Sequence, residues 1–221
     1  QKAKLTAVKQ NTNTAVTFTG TGYEDFFGIA VSGAGDYDQD GFPDILVGAP
    51  NTDVGGQKDC GVANVYSGRD GALIHQFTGQ DAYDYFGISL ACVGDTNGDL
   101  IDDLLIGAHW ASPTGLNGGG AYLFQGGSGT NSLTLAGQGN GDSFGFSVAG
   151  VGDVDGDGRH DLLVGAPLTE IGGFEPYGSA YVFSGADGHL IHQVDAAYFY
   201  DKLGTAVSGV GDVDADGVPD F

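Results

Sequence analysis

Positive charge is scarce in this chain: seven Lys and Arg stand against 29 Asp and Glu, a formal net charge of −22. So acidic a surface repels nucleic-acid phosphates and anionic lipid headgroups, and neither is expected as a partner. Long apolar runs are missing as well. No stretch reaches the roughly 18 residues of a membrane-spanning helix, which argues against membrane insertion. Neither an initiating Met nor a signal peptide is present, so Gln1 reads as the start of a processed or trimmed chain. The only two cysteines are Cys60 and Cys92. They leave open a disulfide of the kind found in secreted proteins and a pair of buried thiols. Recognisable nucleophile signatures are lacking too. His109 and His160 have no Ser or Cys partner in a local catalytic pattern, and His75 and His192 share the same "LIHQ" setting, which reads as a repeated strand residue. No catalytic residue is assigned, and the chain is not read as an enzyme.

Asp and Gly are abundant instead, and they are ordered. "GVGDVDGDGRHDLLVGAP", residues 150–167, gathers four carboxylates within nine positions and follows them with an apolar run. Carboxylates that close repel one another and lose hydration, so a folded loop needs protonation or a cation. Asp153, Asp155, Asp157 and Asp161 occupy positions 1, 3, 5 and 9, with Gly158 at the sharp turn and the carbonyl of Arg159 at position 7. Hard oxygen ligands without His or Cys favour calcium. An EF-hand is excluded, because position 12 is Val164 rather than Glu and "DLLVGAP" reads as a buried strand.

The pattern repeats. Related loops begin at Gly33, Cys92 and Gly209, each preceded by a matching segment at Phe27, Phe86, Phe144 or Leu203, a spacing of 59, 58 and 59 residues. Later in each complete unit come "GVANVYSG", "GGAYLFQG" or "GSAYVFSG", then "LIHQFTG", "SLTLAG" or "LIHQVDA". Four short strands per unit is the sequence form of a propeller blade. The fold class expected is all-β, a β-propeller of four-stranded antiparallel blades, with three full blades and a partial fourth. Residues 1–14 are set apart as an N-terminal extension, and residues 15–221 as the propeller.

The Phe-Gly opening, the D-x-[DN]-x-D loop and the Gly-Ala-Pro ending resemble FG-GAP repeats, the blades of integrin α-subunit propellers and of many bacterial secreted proteins. The resemblance implies a ring of seven blades with calcium in the hairpin between the first two strands of a blade. Carried over by register, it implies ligands at Asp36, Asp38, Asp40 and Asp44 with the Phe42 carbonyl, and at Asp95, Asn97, Asp99 and Asp103 with the Ile101 carbonyl. Asp212, Asp214, Asp216 and Asp220 with the Val218 carbonyl complete a fourth set beside the one at Asp153. The second loop departs from the pattern at Asn97 and at Leu100, which replaces the turn glycine, although Asp102 adds charge nearby. Four Ca2+ ions would bring the net charge from −22 to −14.

Weak calcium loops suit the millimolar calcium outside cells, so a secreted or cell-surface protein is expected. Tyr83, Tyr85, Trp110, Tyr198 and Tyr200 lie in variable loops, where they either form a binding face or cap the core. The function expected is a calcium-stabilised binding and adhesion module for a protein or glycan ligand. The alternatives are an accessory propeller of a secreted hydrolase or lyase, and a structural subunit of an extracellular assembly. Three units and a first strand do not close a ring. The remaining blades are expected from a longer polypeptide or from another chain, with residues 15–19 placed to complete the last blade.

Overall fold

The computed structural model describes residues 4–8, 15–20, 22, 24–171 and 175–221, and no helix occurs among them. Strands β1 (Lys4–Val8) and β2 (Ala15–Thr19) form an antiparallel hairpin. Three four-stranded sheets follow, each antiparallel and each in simple sequence order. The first holds β3 (Val31–Gly33), β4 (Ile45–Ala49), β5 (Val62–Tyr66) and β6 (Leu73–Thr78). The second holds β7 (Ser89–Gly94), β8 (Asp103–Ala108), β9 (Gly120–Phe124) and β10 (Asn131–Ala136). The third holds β11 (Ser147–Gly152), β12 (Asp161–Ala166), β13 (Ser179–Phe183) and β14 (Leu190–Asp195). These are the three expected blades. The fourth unit is present as the bridges Gly178↔Leu203 and Gly211↔Asp220.

The continuous apolar run of each second strand has a direct cause. β8 and β12 are buried along their whole length, because a strand inside a stack of blades has a neighbouring sheet on each face. Alternation then divides the side chains. Leu104 and Ile106 pack with Leu46, Val65 and Phe77 of the first blade, whereas Leu105 packs with Leu162, Val164 and Tyr181 of the third. The core therefore lies between blades. Phe86 and Phe144 of the Phe-Gly segments seal it, the first against Tyr122 and Phe124 and the second against Tyr181 and Phe183. Fourth strands form the outer edge and are the most exposed; β14 has no buried residue.

Glycines set how closely blades approach. The N–H of Gly87 donates to the Gly107 carbonyl of its own blade at 2.9 Å. The Gly87 carbonyl faces the previous blade, where a Cβ on Gly48 would meet it at 2.1 Å. The same relation joins Gly107 to Gly145 and Gly165 to Gly204, each at 2.0 Å. Ser89 and Ser147 hydroxyls donate to those carbonyls of Gly145 and Gly204 at 2.7 and 2.8 Å. The Phe-Gly and Gly-Ala-Pro segments are thus two halves of one inter-blade contact.

Three further details bear on the sequence expectations. Residues 15–19 pair with β1 in a two-stranded sheet, and Phe18 packs on Tyr66 of the first blade. Cys60 and Cys92 are both free thiols, Cys60 buried and Cys92 half-buried. Burial pushes both thiols above their ordinary pKa, Cys92 to about 11. His75 and His192 hold equivalent registers opposite Val65 and Val182, as a repeated strand residue should.

Candidate metal centre

Each acidic loop joins the first and second strands of its unit. Entry to the second and third loops is a register break between Cys92 and Gly94 and between Gly150 and Gly152, at glycines with φ of 81° and 78°. Within the loops the backbone is held by the acidic side chains themselves. The position-1 carboxylate accepts the N–H of position 6: Asp36 from Gly41, Asp95 from Leu100, Asp153 from Gly158 and Asp212 from Gly217, at 2.9 to 3.0 Å. Position 3 accepts from the N–H of position 5 in all four, through Asp38, Asn97, Asp155 and Asp214. Position 5 accepts from position 7, through Asp40, Asp99, Asp157 and Asp216, so the N–H groups of Phe42, Ile101, Arg159 and Val218 point inward. Leu100 adopts a left-handed φ of 67° where the other loops have Gly41, Gly158 and Gly217. The second loop therefore keeps the common backbone at the cost of an unfavourable conformation for leucine.

Position 9 plays a different part. Asp44, Asp103 and Asp161 are buried. One oxygen of each accepts from the loop, at Tyr37, Thr96 or Val154, and the other from the turn between strands three and four, at Gly68, Gly126 or Gly185. Asp220 makes the corresponding loop bond to Val213. These aspartates fasten the acidic loop to the rest of its blade. Desolvation raises the pKa of Asp44, Asp103 and Asp161, against the opposing pull of their N–H donors.

Carboxylate oxygens converge within 4.8 Å in three loops: Asp36, Asp38 and Asp40; Asp153, Asp155 and Asp161; Asp212, Asp214 and Asp220. Among the described residues the second loop brings no such trio together. One oxygen of Asp36, Oδ1, is buried without a hydrogen-bond partner. A buried, unsatisfied carboxylate oxygen among two further carboxylates is what an all-oxygen Ca2+ site provides, and the donor set fits that ion. Arg69 lies 3.8 Å from Asp40 and partly offsets the charge of the first loop, and His189, 3.7 Å from Asp155, does the same at the third when protonated.

The opposite end of each blade is aromatic. The loops joining strands two and three, and those linking consecutive blades, expose Phe26, Tyr83, Trp110, Tyr198, Phe199 and Tyr200. Tyr85 is half-buried and its ring meets His109 at 5.5 Å and Trp110 at 6.5 Å. Phe146 closes on His109 from another side at 5.7 Å. His109 Nδ1 is buried without a partner, and burial lowers the imidazole pKa to about 4. Of the loop aromatics singled out in the sequence, Tyr83, Trp110, Tyr198 and Tyr200 thus face solvent.

One repeated set escapes a reading centred on the acidic loops. Asp25, Asp84, Asp142 and Asp201 each stand two residues before the Phe-Gly or Leu-Gly pair. Each accepts a backbone N–H of its own turn, from Gly22, Asp81, Gly139 or Tyr198. The residue after each, Phe26, Tyr85, Ser143 or Lys202, has a φ between 53° and 56°. Their fixed register was the available signal.

The FG-GAP repeat profile matches residues 27–68 and 144–183. Integrin alpha-5 of Xenopus laevis is 31% identical over 216 residues, covering 90% of this chain and 20% of that protein. Integrin alpha-V of Gallus gallus is 30% identical and covers 99% of the chain and 22% of its own length. The chain therefore spans about a fifth of these relatives. Among solved structures, the Bacillus licheniformis rhamnogalacturonan lyase PL11 aligns with a TM-score of 0.53 at 18% identity, covering 99% of this chain and 43% of the lyase. That likeness is one of fold.

Proposed function

We propose that this chain, which carries FG-GAP repeats folded as β-propeller blades, is a calcium-stabilised extracellular binding and adhesion module. The integrin α relatives support an adhesion-type propeller. The observation that carries the finer reading is the division of each blade into two chemically distinct ends. At one end, Asp36, Asp38 and Asp40, Asp153, Asp155 and Asp161, and Asp212, Asp214 and Asp220 would hold calcium. Position-5 and position-9 carboxylates and the carbonyls of Phe42, Arg159 and Val218 would complete the shells. Calcium there supplies positive charge that keeps the hairpin closed and leaves the other end free for recognition. Trp110, Tyr83 and Tyr198–Tyr200 there offer flat, amphipathic contact area to a protein or glycan. Millimolar calcium favours a secreted or surface setting.

Protein and glycan arrays probed with the chain in millimolar calcium test this reading. Binding that is lost in Trp110→Ala and Tyr200→Ala, with the melting temperature unchanged, is the expected result; absence of any ligand would sink the module reading. A second reading, an accessory propeller of a polysaccharide-acting enzyme, draws on the lyase likeness. Linkage to a catalytic domain in the source polypeptide would favour it, and a propeller completed by another chain would favour an assembly role.

A further inference from the structure

We propose that the cleft between the second and third blades, at the end that carries the acidic loops, binds the carboxylate of a small acid of about monosaccharide size, with the guanidinium of Arg159 as its counter-charge. The cleft lies at the opposite end of the blades from the aromatic recognition face and is independent of it.

The cleft encloses about 220 Å³ and is lined by Thr96, Asn97, Gln125, Ser132 and Arg159, with the turn at Gly185 closing it. Its opening is clear from the equivalent place one blade earlier. Tyr37 and Thr96 hold the same loop position, each donating its N–H to the buried aspartate of its loop, Asp44 or Asp103. Tyr37 fills the space between the first and second blades: it is 1% exposed and packs in one cluster with Phe77 and Leu104, its ring edge-on to His75. Thr96 is too short to fill the next space. Neighbouring positions turn polar with it. Ile74, which packs on the same cluster as Tyr37, corresponds to Ser132, and Ile101 corresponds to Arg159.

Two donors in the cleft have no partner among the described residues. Arg69 lies 3.8 Å from Asp40 and Lys58 lies 3.8 Å from Asp59, but the half-buried guanidinium of Arg159 makes neither an ion pair nor a hydrogen bond. It rests over the next loop, where a Cβ on Gly98 would come within 1.8 Å of Nη1. The nearby carboxylates are committed to backbone N–H groups: Asp95 to Gly98 and Leu100, Asp99 to Ile101, and Asp157 to Arg159 itself. The second donor is the carboxamide of Gln125. In the first and third blades this position is Ser67 or Ser184, whose hydroxyl accepts an N–H of its own turn. Gln125 makes no such bond.

A half-buried charge without a partner is costly, and an entering oxyanion removes that cost. The planar fork of an arginine matches a carboxylate in particular, because both oxygens can be held at once. Gln125 adds a neutral donor beside it. An apolar cavity of about 150 Å³ takes a benzene ring, so this polar cleft has room for an acid on a single ring.

Heteronuclear NMR of the full chain in millimolar CaCl2, titrated with sodium glucuronate, tests the proposal. Saturable shifts of the Gln125 side-chain amide and of the Gly98 N–H are expected. The Kd should be millimolar, because the charge of the two flanking loops opposes an incoming anion. Arg159→Gln should weaken binding about tenfold or more, whereas Arg69→Gln, which removes the same charge from the first blade, should leave it unchanged. Thr96→Tyr, which supplies the side chain that fills the preceding space, should abolish binding. Acetate serves as the second probe: affinity equal to that of glucuronate would assign the cleft to the carboxylate alone, and weaker affinity to a sugar-borne acid, and both support the proposal. No saturable shift with either acid, equal binding of glucose, or binding retained by a folded Arg159→Gln variant would overturn it.

Discussion

A Cβ on Gly107 would lie 2.0 Å from the carbonyl oxygen of Gly145 in the next blade. That oxygen also accepts the Ser89 hydroxyl at 2.7 Å, and the opposing atom is backbone, so neither side can yield by a rotamer change. The glycine at this step of each repeat is a spacer between sheets, and its absence of a side chain is what brings apolar faces into contact.

Gly107→Ala should therefore wedge the second and third blades apart. Overpacking against backbone of this kind costs about 3 kcal/mol. Urea unfolding of the variant measures it. A loss below about 1 kcal/mol would mean that the blades slide past one another without losing their shared core.

Much of this architecture was legible because it repeats. The runs ending at Ala49, Ala108 and Ala166 read as buried strands, and the loops at Asp36, Asp95, Asp153 and Asp212 announced themselves by register. What could not be read were relations between blades. Nothing in "GDTNGD" tells that Gly98 lies under Arg159, 61 residues later, or that Asp102 leans on Gly35. Position 8 is the clearest case: Asp102, His160 and Pro219 each pack over the glycine that opens the previous loop, Gly35, Gly94 and Gly152. Those side chains share a place and no chemistry, so pattern matching passes over them.

Calcium should stabilise the chain through preferential binding to the folded state. A site at 100 times its dissociation constant contributes about 2.7 kcal/mol. For a chain of this size each kcal/mol moves the melting temperature by roughly 2–4 °C. Chelation should thus lower it by at least about 5 °C, and added calcium should restore it. An unchanged melting curve in chelator would remove the structural role assigned to the ion.

His109 makes a pH-dependent contribution of definite sign. Its pKa falls from 6.5 to about 4 on folding, through burial among Tyr85, Trp110 and Phe146. Between those values the unfolded chain binds the proton and the folded chain does not. Stability associated with this group is therefore complete above pH 6.5 and is lost as pH falls toward 4, by roughly 2–3 kcal/mol. The equivalent residues of the flanking units are Pro50 and Pro167. His109→Pro should flatten this limb when unfolding free energies at pH 7 and pH 4.5 are compared with the parent. Equal acid losses in both proteins would rule out His109 as a source.

Two aspartates of one loop should separate structure from ion binding. Asp161 is buried and accepts the N–H groups of Val154 at 2.7 Å and Gly185 at 3.2 Å, joining the acidic loop to the far turn of its blade. Asp157 is exposed and accepts only locally, from Arg159 at 2.7 Å. Asp161→Ala leaves two inward N–H groups without acceptors and should cost about 3 kcal/mol already in chelator, and more in calcium, because it also removes a carboxylate of the Asp153, Asp155 and Asp161 cluster. Asp157→Ala should cost under about 1 kcal/mol in chelator, since it removes an exposed turn bond, yet should abolish that loop's share of the calcium-dependent increment. Denaturant midpoints of both variants with and without calcium give the comparison. If Asp157→Ala proved as damaging as Asp161→Ala in chelator, the loop would be held by its rim rather than by the buried tie, and the division of labour between positions 5 and 9 would be wrong.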